Sequence, residues 1–96
     1  MHLEDRVAVI TGAGQGIGYG IAERFGREGA HLVIGELVAE RGLQAAEQLQ
    51  GAGFRARAIQ LDVTQPASCQ ALVQAVMAEF GRIDVLVNNA GRGGYD

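Results

Sequence analysis

A glycine-rich stretch, Thr11 to Gly18, is the feature that most constrains how this chain folds. It reads T-G-A-G-Q-G-I-G, follows the apolar run V-A-V-I, and precedes a segment whose apolar residues recur at helical spacing. The pattern predicts a β-strand, a tight turn and an α-helix in succession. A helix N-terminus offers unpaired N–H groups and the positive end of its dipole, and glycines let a phosphate reach the backbone. The turn is therefore a candidate phosphate-binding site.

The spacing of the glycines narrows the choice of motif. A strict G-x-G-x-x-G does not fit, whereas T-G-x-x-x-G-x-G fits at every position. A P-loop is excluded because no Lys-Ser or Lys-Thr pair follows the glycines. An ordinary glycine turn without a ligand remains an alternative for this stretch taken by itself.

Three further features follow later apolar runs. Glu36 closes the second run, where a carboxylate can accept hydrogen bonds from the two hydroxyls of an adenosine ribose. The pair Asp62-Val63 follows the third run, and N-N-A-G, residues 88–91, ends the fourth. For Glu36 the alternative is a solvated residue at a strand end. For Asp62 it is a helix cap or a solvated loop acid.

Taken together, these motifs resemble the N-terminal part of the classical short-chain dehydrogenase/reductase family, in order and over essentially the whole chain. The resemblance implies a nicotinamide dinucleotide cofactor. An acidic Glu36 and a neutral Gln15 favour NAD over NADP. Glu36 would repel the 2′-phosphate of NADP, and Gln15 has no positive charge to attract it. The candidate cofactor-binding residues are Gly12, Gln15, Gly16, Ile17, Gly18, Glu36, Asp62, Val63, Asn89, Ala90 and Gly91.

The resemblance also implies individual roles for the later motifs. Asp62 would contact the adenine amino group and Val63 would pack on the ring. Asn89, with Ala90 and Gly91, would line the ribose and approach the nicotinamide. We interpret Asn88 as structural, with an amide that bridges neighbouring strand ends.

No catalytic residue can be assigned. The family's reaction is a hydride transfer between an alcohol or carbonyl substrate and the cofactor, with a tyrosine, a lysine four residues later and a serine. The chain contains no lysine, its one serine is Ser68, Tyr19 is followed four positions on by Glu23, and Tyr95 stands next to the last residue. A phenol with no cation beside it is a poor base at neutral pH.

We therefore expect residues 1–96 alone to be inactive and the catalytic portion of the parent enzyme to be absent from this chain. A non-catalytic dinucleotide-binding module and a truncated fragment without function are the alternatives. A reading frame that continued past Asp96 into a serine and Tyr-x-x-x-Lys would favour the enzyme. The substrate cannot be named from these residues.

The expected fold is a three-layer α/β Rossmann-type arrangement, a doubly wound parallel sheet present only in part. Predicted strands span Arg6–Thr11, His31–Gly35, Arg55–Leu61 and Asp84–Asn88, all as runs buried on both faces. Right-handed crossovers predict the strand order 3-2-1-4, with the first two helices on one face and the third on the other. The switch point then lies between strands one and four at their carboxyl ends, where such folds bind ligands.

Helices are predicted over Ile17–Glu28, with Gly29 as the stop, over Glu40–Gln50, ending at Gly51-Ala52-Gly53, and from near Thr64 to the residue before Gly81. The third is expected to have the strongest apolar stripe. The residues expected to point inward are Ile17, Ile21, Ala22 and Phe25 in the first helix; Leu43, Ala46 and Leu49 in the second; and Cys69, Leu72, Val73, Val76 and Phe80 in the third.

Composition excludes several classes of function. A net charge of −3 and 5% aromatic residues leave neither the electrostatic nor the stacking contribution that nucleic-acid binding needs. No apolar segment is long enough for a membrane span, and Cys69 stands alone, so a cytoplasmic setting is expected. No metal site is assigned, since His2 and His31 have no ligand partners at suitable spacing. A half-covered sheet predicts self-association, or docking with the missing C-terminal part.

Overall fold

The structure is a computed structural model that describes residues 2–14 and 16–89. Within these residues, four strands alternate with three helices. The elements are β1 (Val7–Thr11), α1 (Gly16–Arg27), β2 (His31–Glu36), α2 (Ala39–Gly51), β3 (Arg55–Gln60), α3 (Pro66–Phe80) and β4 (Val85–Asn88). The first and last residues of each element lie within one or two residues of those predicted from the sequence.

All strands of the sheet are parallel, in the order β3-β2-β1-β4. β1 is central: Val7 pairs with His31 of β2, and Ala8 pairs with Val85 of β4. β3 continues the sheet beyond β2, with His31 opposite Arg55. The predicted Rossmann-type order 3-2-1-4 is confirmed, and the crossover from β3 back to β4 places the carboxyl ends of β1 and β4 side by side.

Two apolar clusters cover the two faces of the sheet. Even-numbered residues of β1 and β2, such as Ala8, Ile10 and Leu32, pack with Ala22 of α1 and Leu49 of α2. Odd-numbered residues point to the opposite face and pack under α3, in the cluster Val7, Val9, Val33, Leu61, Leu72 and Val76. The predicted division of the helices between the faces is therefore confirmed.

Three residues predicted to point inward are exposed instead. Ile17 is 77% exposed, Leu43 56% and Val73 45%. Each stands at the margin of its helical stripe, beside residues that are buried or half-buried. In the part of the chain that the structure describes, the sheet is four strands wide, so it covers the centre of each stripe and leaves the margin in solvent.

The prediction that every strand is buried on both faces is wrong for β3 and β4. β1 is buried at every position, and β2 at all but its two end residues. Every residue of β3 and β4 is exposed or half-buried, because each strand lies at an edge of the sheet. Leu86 of β4 is 65% exposed, on the face that α3 covers only in part.

The prediction that α3 has the strongest apolar stripe of the three helices is also wrong. α3 buries Leu72 and Val76, yet Val73 and Met77 are each 45% exposed. Its apolar residues therefore lie on more than one side. α1 separates apolar from polar residues more cleanly, with buried Ala22 opposite exposed, charged positions.

Glycines end the first and third helices, as predicted. Gly29 has φ of +96° and follows the last turn of α1, while Gly81 has φ of +75° and donates its N–H to the carbonyl of Met77. These left-handed conformations are costly for residues with a Cβ. Within the part of the chain that the structure describes, no helix is long and apolar enough to cross a membrane.

Asp84 fixes the start of β4 against the start of β1. One carboxylate oxygen accepts the Val7 N–H at 2.8 Å, and Arg82 donates to both oxygens, each at 2.8 Å. Arg6 adds a weaker ion pair at 3.4 Å. The Arg82 guanidinium, followed by the Val7 N–H, lowers the pKa of Asp84 from 3.8 to about 2.

We predict that Asp84→Asn lowers the melting temperature at neutral pH. A carboxylate with a lowered pKa in the folded state stabilises it above pH 3.8 and loses that contribution as the pH falls toward 2. The wild type should therefore lose stability over this window, and the variant should lose less.

Melting curves at pH 7, 4 and 2 would check this. Asp5→Asn serves as the control, because Asp5 is 77% exposed in its ion pair with Arg55. An unchanged pH profile in Asp84→Asn would contradict the prediction.

Candidate cofactor site

The glycine turn begins where β1 ends and is tied to β2. Gly12 has φ of +68°, and its N–H donates to the Gly35 carbonyl at 2.8 Å. One strand further along the sheet, the Leu61 N–H donates to the Glu36 carbonyl at 2.9 Å. The carboxyl ends of β1, β2 and β3 are thereby held at one edge of the sheet.

The Thr11 hydroxyl joins this edge to β4. It accepts a hydrogen bond from the backbone N–H of Asn89 at 2.9 Å and donates one to Oδ1 of Asn88 at 3.2 Å. The side-chain amide of Asn89 also donates a hydrogen bond, from Nδ2 to the Gly12 carbonyl at 3.3 Å. The predicted structural role of Asn88, bridging strand ends, matches this contact, although its side chain is exposed rather than buried.

Gly18 lets α1 approach the turn closely. A Cβ at this position would lie 2.8 Å from Nδ2 of Asn89 and would collide with the Gly12 carbonyl oxygen. Gly18 itself is buried. The glycine at this position is therefore required by the contact between helix, turn and β4.

Gly16 is required for a different reason. Its φ of +66° is left-handed, and a Cβ built there would meet nothing within 4 Å. The space in front of it is open, at the N-terminus of α1, whose first turn holds no acidic residue. The neighbouring Ile17 side chain is exposed. Open backbone at a helix N-terminus suits an anion such as a pyrophosphate.

The structure brings Glu36 to the glycine turn, as the motif spacing predicted. Oε2 of Glu36 accepts the Gly14 N–H at 3.0 Å, and the residue is half-buried at the end of β2. This carboxylate is therefore not a freely solvated strand-end acid. It faces the turn from the side of β2, with Arg41 in the first turn of α2 nearby.

Asp62 forms its own turn after β3. Oδ1 accepts the Thr64 hydroxyl at 2.6 Å and the Thr64 N–H at 3.0 Å, and these two bonds lower the pKa of Asp62. The N–H of Asp62 donates to Oγ of Ser68 at 2.9 Å. The helix N-cap is Gln65, so Asp62 caps a turn and not the helix. Val63 is half-buried against the α3 cluster.

Three predicted site residues, Gln15, Ala90 and Gly91, lie outside the residues that the structure describes. Two contributions were missed from sequence. The Thr11 hydroxyl had no predicted role, although a hydroxyl at the end of a buried strand needs a partner. The Ser68 hydroxyl was noted only as an unsuitable catalytic serine. Across residues 2–14 and 16–89, no three His, Cys, Asp or Glu side chains gather as a metal site would require.

Comparison with known proteins identifies the family. The model of the family described as short chain dehydrogenase matches residues 6–95. The chain belongs to the short-chain dehydrogenase family. Members of this family bind a nicotinamide dinucleotide.

Relatives with known names agree. Galactitol 2-dehydrogenase of Agrobacterium fabrum is 47% identical over 90 residues, which are 94% of this chain and 34% of that protein. The 3-oxoacyl-[acyl-carrier-protein] reductase of Escherichia coli is 44% identical over 91 residues, covering 95% of this chain and 36% of the relative. The chain thus spans about a third of the length of the curated relatives it matches.

Solved structures give the same result for the fold. A metagenomic short-chain oxidoreductase in complex with NADP superposes with a TM-score of 0.90 at 38% identity, over 97% of this chain and 42% of that one. A short-chain dehydrogenase from Mycobacterium smegmatis gives a TM-score of 0.90 at 40% identity, over 97% and 40% of the two chains.

The geometry around Gly18 predicts which glycine of α1 resists substitution. Gly18→Ala should destabilise the fold by about 1–3 kcal/mol, because backbone and Asn89 must move to admit the Cβ. Gly20→Ala is the matched control, since a Cβ there meets nothing within 4 Å. It should stabilise the helix by about 0.5–1 kcal/mol. Denaturant titrations measure both, and equal effects would contradict the assignment.

Proposed function

We propose that residues 1–96 form the dinucleotide-binding part of a Rossmann domain in a short-chain dehydrogenase that prefers NAD to NADP. The supporting observation is the Glu36 carboxylate, held beside the glycine turn by the Gly14 N–H. In this position it can accept hydrogen bonds from the 2′- and 3′-hydroxyls of an adenosine ribose. The parent enzyme would move a hydride between the cofactor and an alcohol or carbonyl substrate.

The described residues fit such a cofactor. Gly16 leaves open space at the N-terminus of α1, where the N–H groups of the first turn can receive the pyrophosphate. Gly12 and Gly18 support this role by closing the turn onto β1 and α1. When bound, the cofactor supplies the hydride-accepting or hydride-donating nicotinamide.

The remaining predicted residues complete the proposed site. Asp62 would meet the adenine amino group with Oδ2, because Oδ1 is used by Thr64. Val63 would offer the edge of its half-buried side chain to the ring. Asn89, with Ala90 and Gly91, would line the ribose on the way to the nicotinamide, and Gln15 and Ile17 would add backbone N–H groups.

In the proposed parent enzyme, proton transfer would use groups other than those of residues 1–96. The sequence contains no lysine. Tyr19 carries a pKa raised by burial and by the neighbouring Glu23 carboxylate, which is opposite to what a catalytic base needs. We therefore assign this chain a binding role and leave its substrate unassigned.

The cofactor preference follows from charge. A 2′-phosphate with charge near −2, at about 5 Å from Glu36, is opposed by about 1.7 kcal/mol at the dielectric constant of water, or about sixteenfold in affinity. We expect calorimetric titration to give tighter binding of NAD than of NADP by at least this factor. Equal or tighter NADP binding would contradict the preference, and binding of neither cofactor would contradict the proposed function.

Two variants separate the charges involved. Glu36→Gln should bring the two affinities closer by strengthening NADP binding. Arg41→Ala should weaken NADP binding further and leave NAD nearly unchanged, because the exposed Arg41 lies on the same side of the turn.

We further propose that this chain self-associates, or docks with the rest of the Rossmann domain, through the exposed apolar residues of the α3 face. Leu86, Val73 and Met77 are all exposed on or beside that face, and β4 is a sheet edge. Unpaired edges and uncovered parallel sheets attract partners.

Light scattering should therefore detect oligomers of the isolated chain, and Leu86→Glu should reduce them. Leu43→Glu is the control, since Leu43 is 56% exposed on the opposite face. A monodisperse monomer, with the amides of Val85 to Val87 protected from hydrogen exchange as well as those of Val7 to Ile10, would contradict this proposal.

A further inference from the structure

The Glu36 side chain lies between two glycines that its neighbourhood requires. Gly14, in the turn after β1, donates its N–H to Oε2 of Glu36 at 3.0 Å. Unlike Gly12 and Gly16, Gly14 does not have a left-handed φ, so its backbone conformation is open to any residue. The reason for a glycine at position 14 must therefore be space.

The space at position 14 is taken by the Glu36 carboxylate. A Cβ built on Gly14 would lie 2.6 Å from Oε2 and 3.1 Å from Cδ of Glu36. It would also lie 3.3 Å from Cβ of Arg41. The two closest contacts are both with the carboxyl group, so an alanine here must displace the carboxylate.

Gly42 of α2 confines the stem of the same side chain. A Cβ on Gly42 would lie 3.0 Å from Cβ of Glu36 and 3.6 Å from Cβ of Ala58. Gly42 is helical and buried, so again its conformation does not require a glycine. The Glu36 side chain thus has little freedom at its stem, and its carboxylate is fixed by Gly14.

We propose that Gly14 is a positioning residue that sets the choice between NAD and NADP by holding the Glu36 carboxylate at the turn. The inference rests on the proposed function, because it assumes that Glu36 faces the adenosine ribose. A carboxylate held in place repels a 2′-phosphate and meets a ribose diol without first losing conformational freedom. A carboxylate displaced toward solvent is screened and mobile, so it does both less well.

The test measures selectivity in the full chain that the gene encodes. Gly14→Ala breaks the hydrogen bond to Glu36, and the ratio of the NADP to the NAD dissociation constant should fall about tenfold, the factor for about 1.4 kcal/mol of charge-assisted hydrogen bonding. Gly20→Ala, whose Cβ meets nothing within 4 Å, is the matched control and should leave the ratio unchanged. Calorimetric titration with each cofactor supplies the constants.

A double-mutant cycle distinguishes positioning from general damage to the turn. In a Glu36→Gln background, Gly14→Ala should no longer change the ratio, because the charge it positions is gone. A change of the same size in both backgrounds would overturn the proposal. So would a Gly14→Ala variant that keeps the wild-type ratio. If the wild type binds neither cofactor, the proposed function fails first.

A second pair of variants covers the case in which Gly14→Ala does not fold. Glu36→Asp withdraws the carboxylate by one methylene and makes room for the alanine Cβ. The pair Gly14→Ala/Glu36→Asp should therefore fold and prefer NAD at least as strongly as Glu36→Asp alone. A double variant that still fails to fold, or that shows a lower ratio than Glu36→Asp alone, would show that position 14 acts through something other than the Glu36 side chain.

Discussion

The contact between the ends of β1 and β4 is the constraint on which the rest of this site depends. The Thr11 hydroxyl accepts a hydrogen bond from the backbone N–H of Asn89, and the Asn89 side-chain amide donates to the Gly12 carbonyl. The turn and the end of β4 therefore form one hydrogen-bonded unit. α1 can start where it does only because Gly18 fits against that unit without a Cβ. The open N-terminus of the helix is thus a consequence of packing between parallel strands whose crossovers run in opposite directions.

Sequence reasoning succeeded where burial leaves few alternatives. β1 and β2 are nearly continuous apolar runs, and right-handed crossovers left one reasonable strand order. Prediction from sequence failed for residues whose exposure depends on how far the neighbouring strand or helix extends. Helical periodicity finds the centre of a stripe, but the exposure of Val73 depends on the width of the sheet beneath α3. Nothing in the local sequence gives that width.

In the candidate site, too, some features were predictable from the sequence and others were not. The motif spacing placed Glu36 near the glycine turn correctly, because both stand at the carboxyl ends of adjacent strands. The reason for Gly14 was not visible, since it depends on a side chain in another strand. Asp84 was missed for a similar reason: a charged residue before a strand is usually solvated, and only the parallel pairing brings the Val7 N–H to its carboxylate.

If the proposed preference for NAD holds, these contacts explain how it can be encoded in so short a segment. Under the proposed function, the Glu36 charge would act on a 2′-phosphate most strongly when the carboxylate is held in place, because a mobile carboxylate at a surface is screened and can turn away. The strand end, the glycine at position 14 and the glycine of α2 fix the Glu36 carboxylate relative to the backbone that we propose receives the pyrophosphate. The proposed selectivity would therefore depend on how closely three backbone segments approach, and the glycines at 14 and 42 permit that approach.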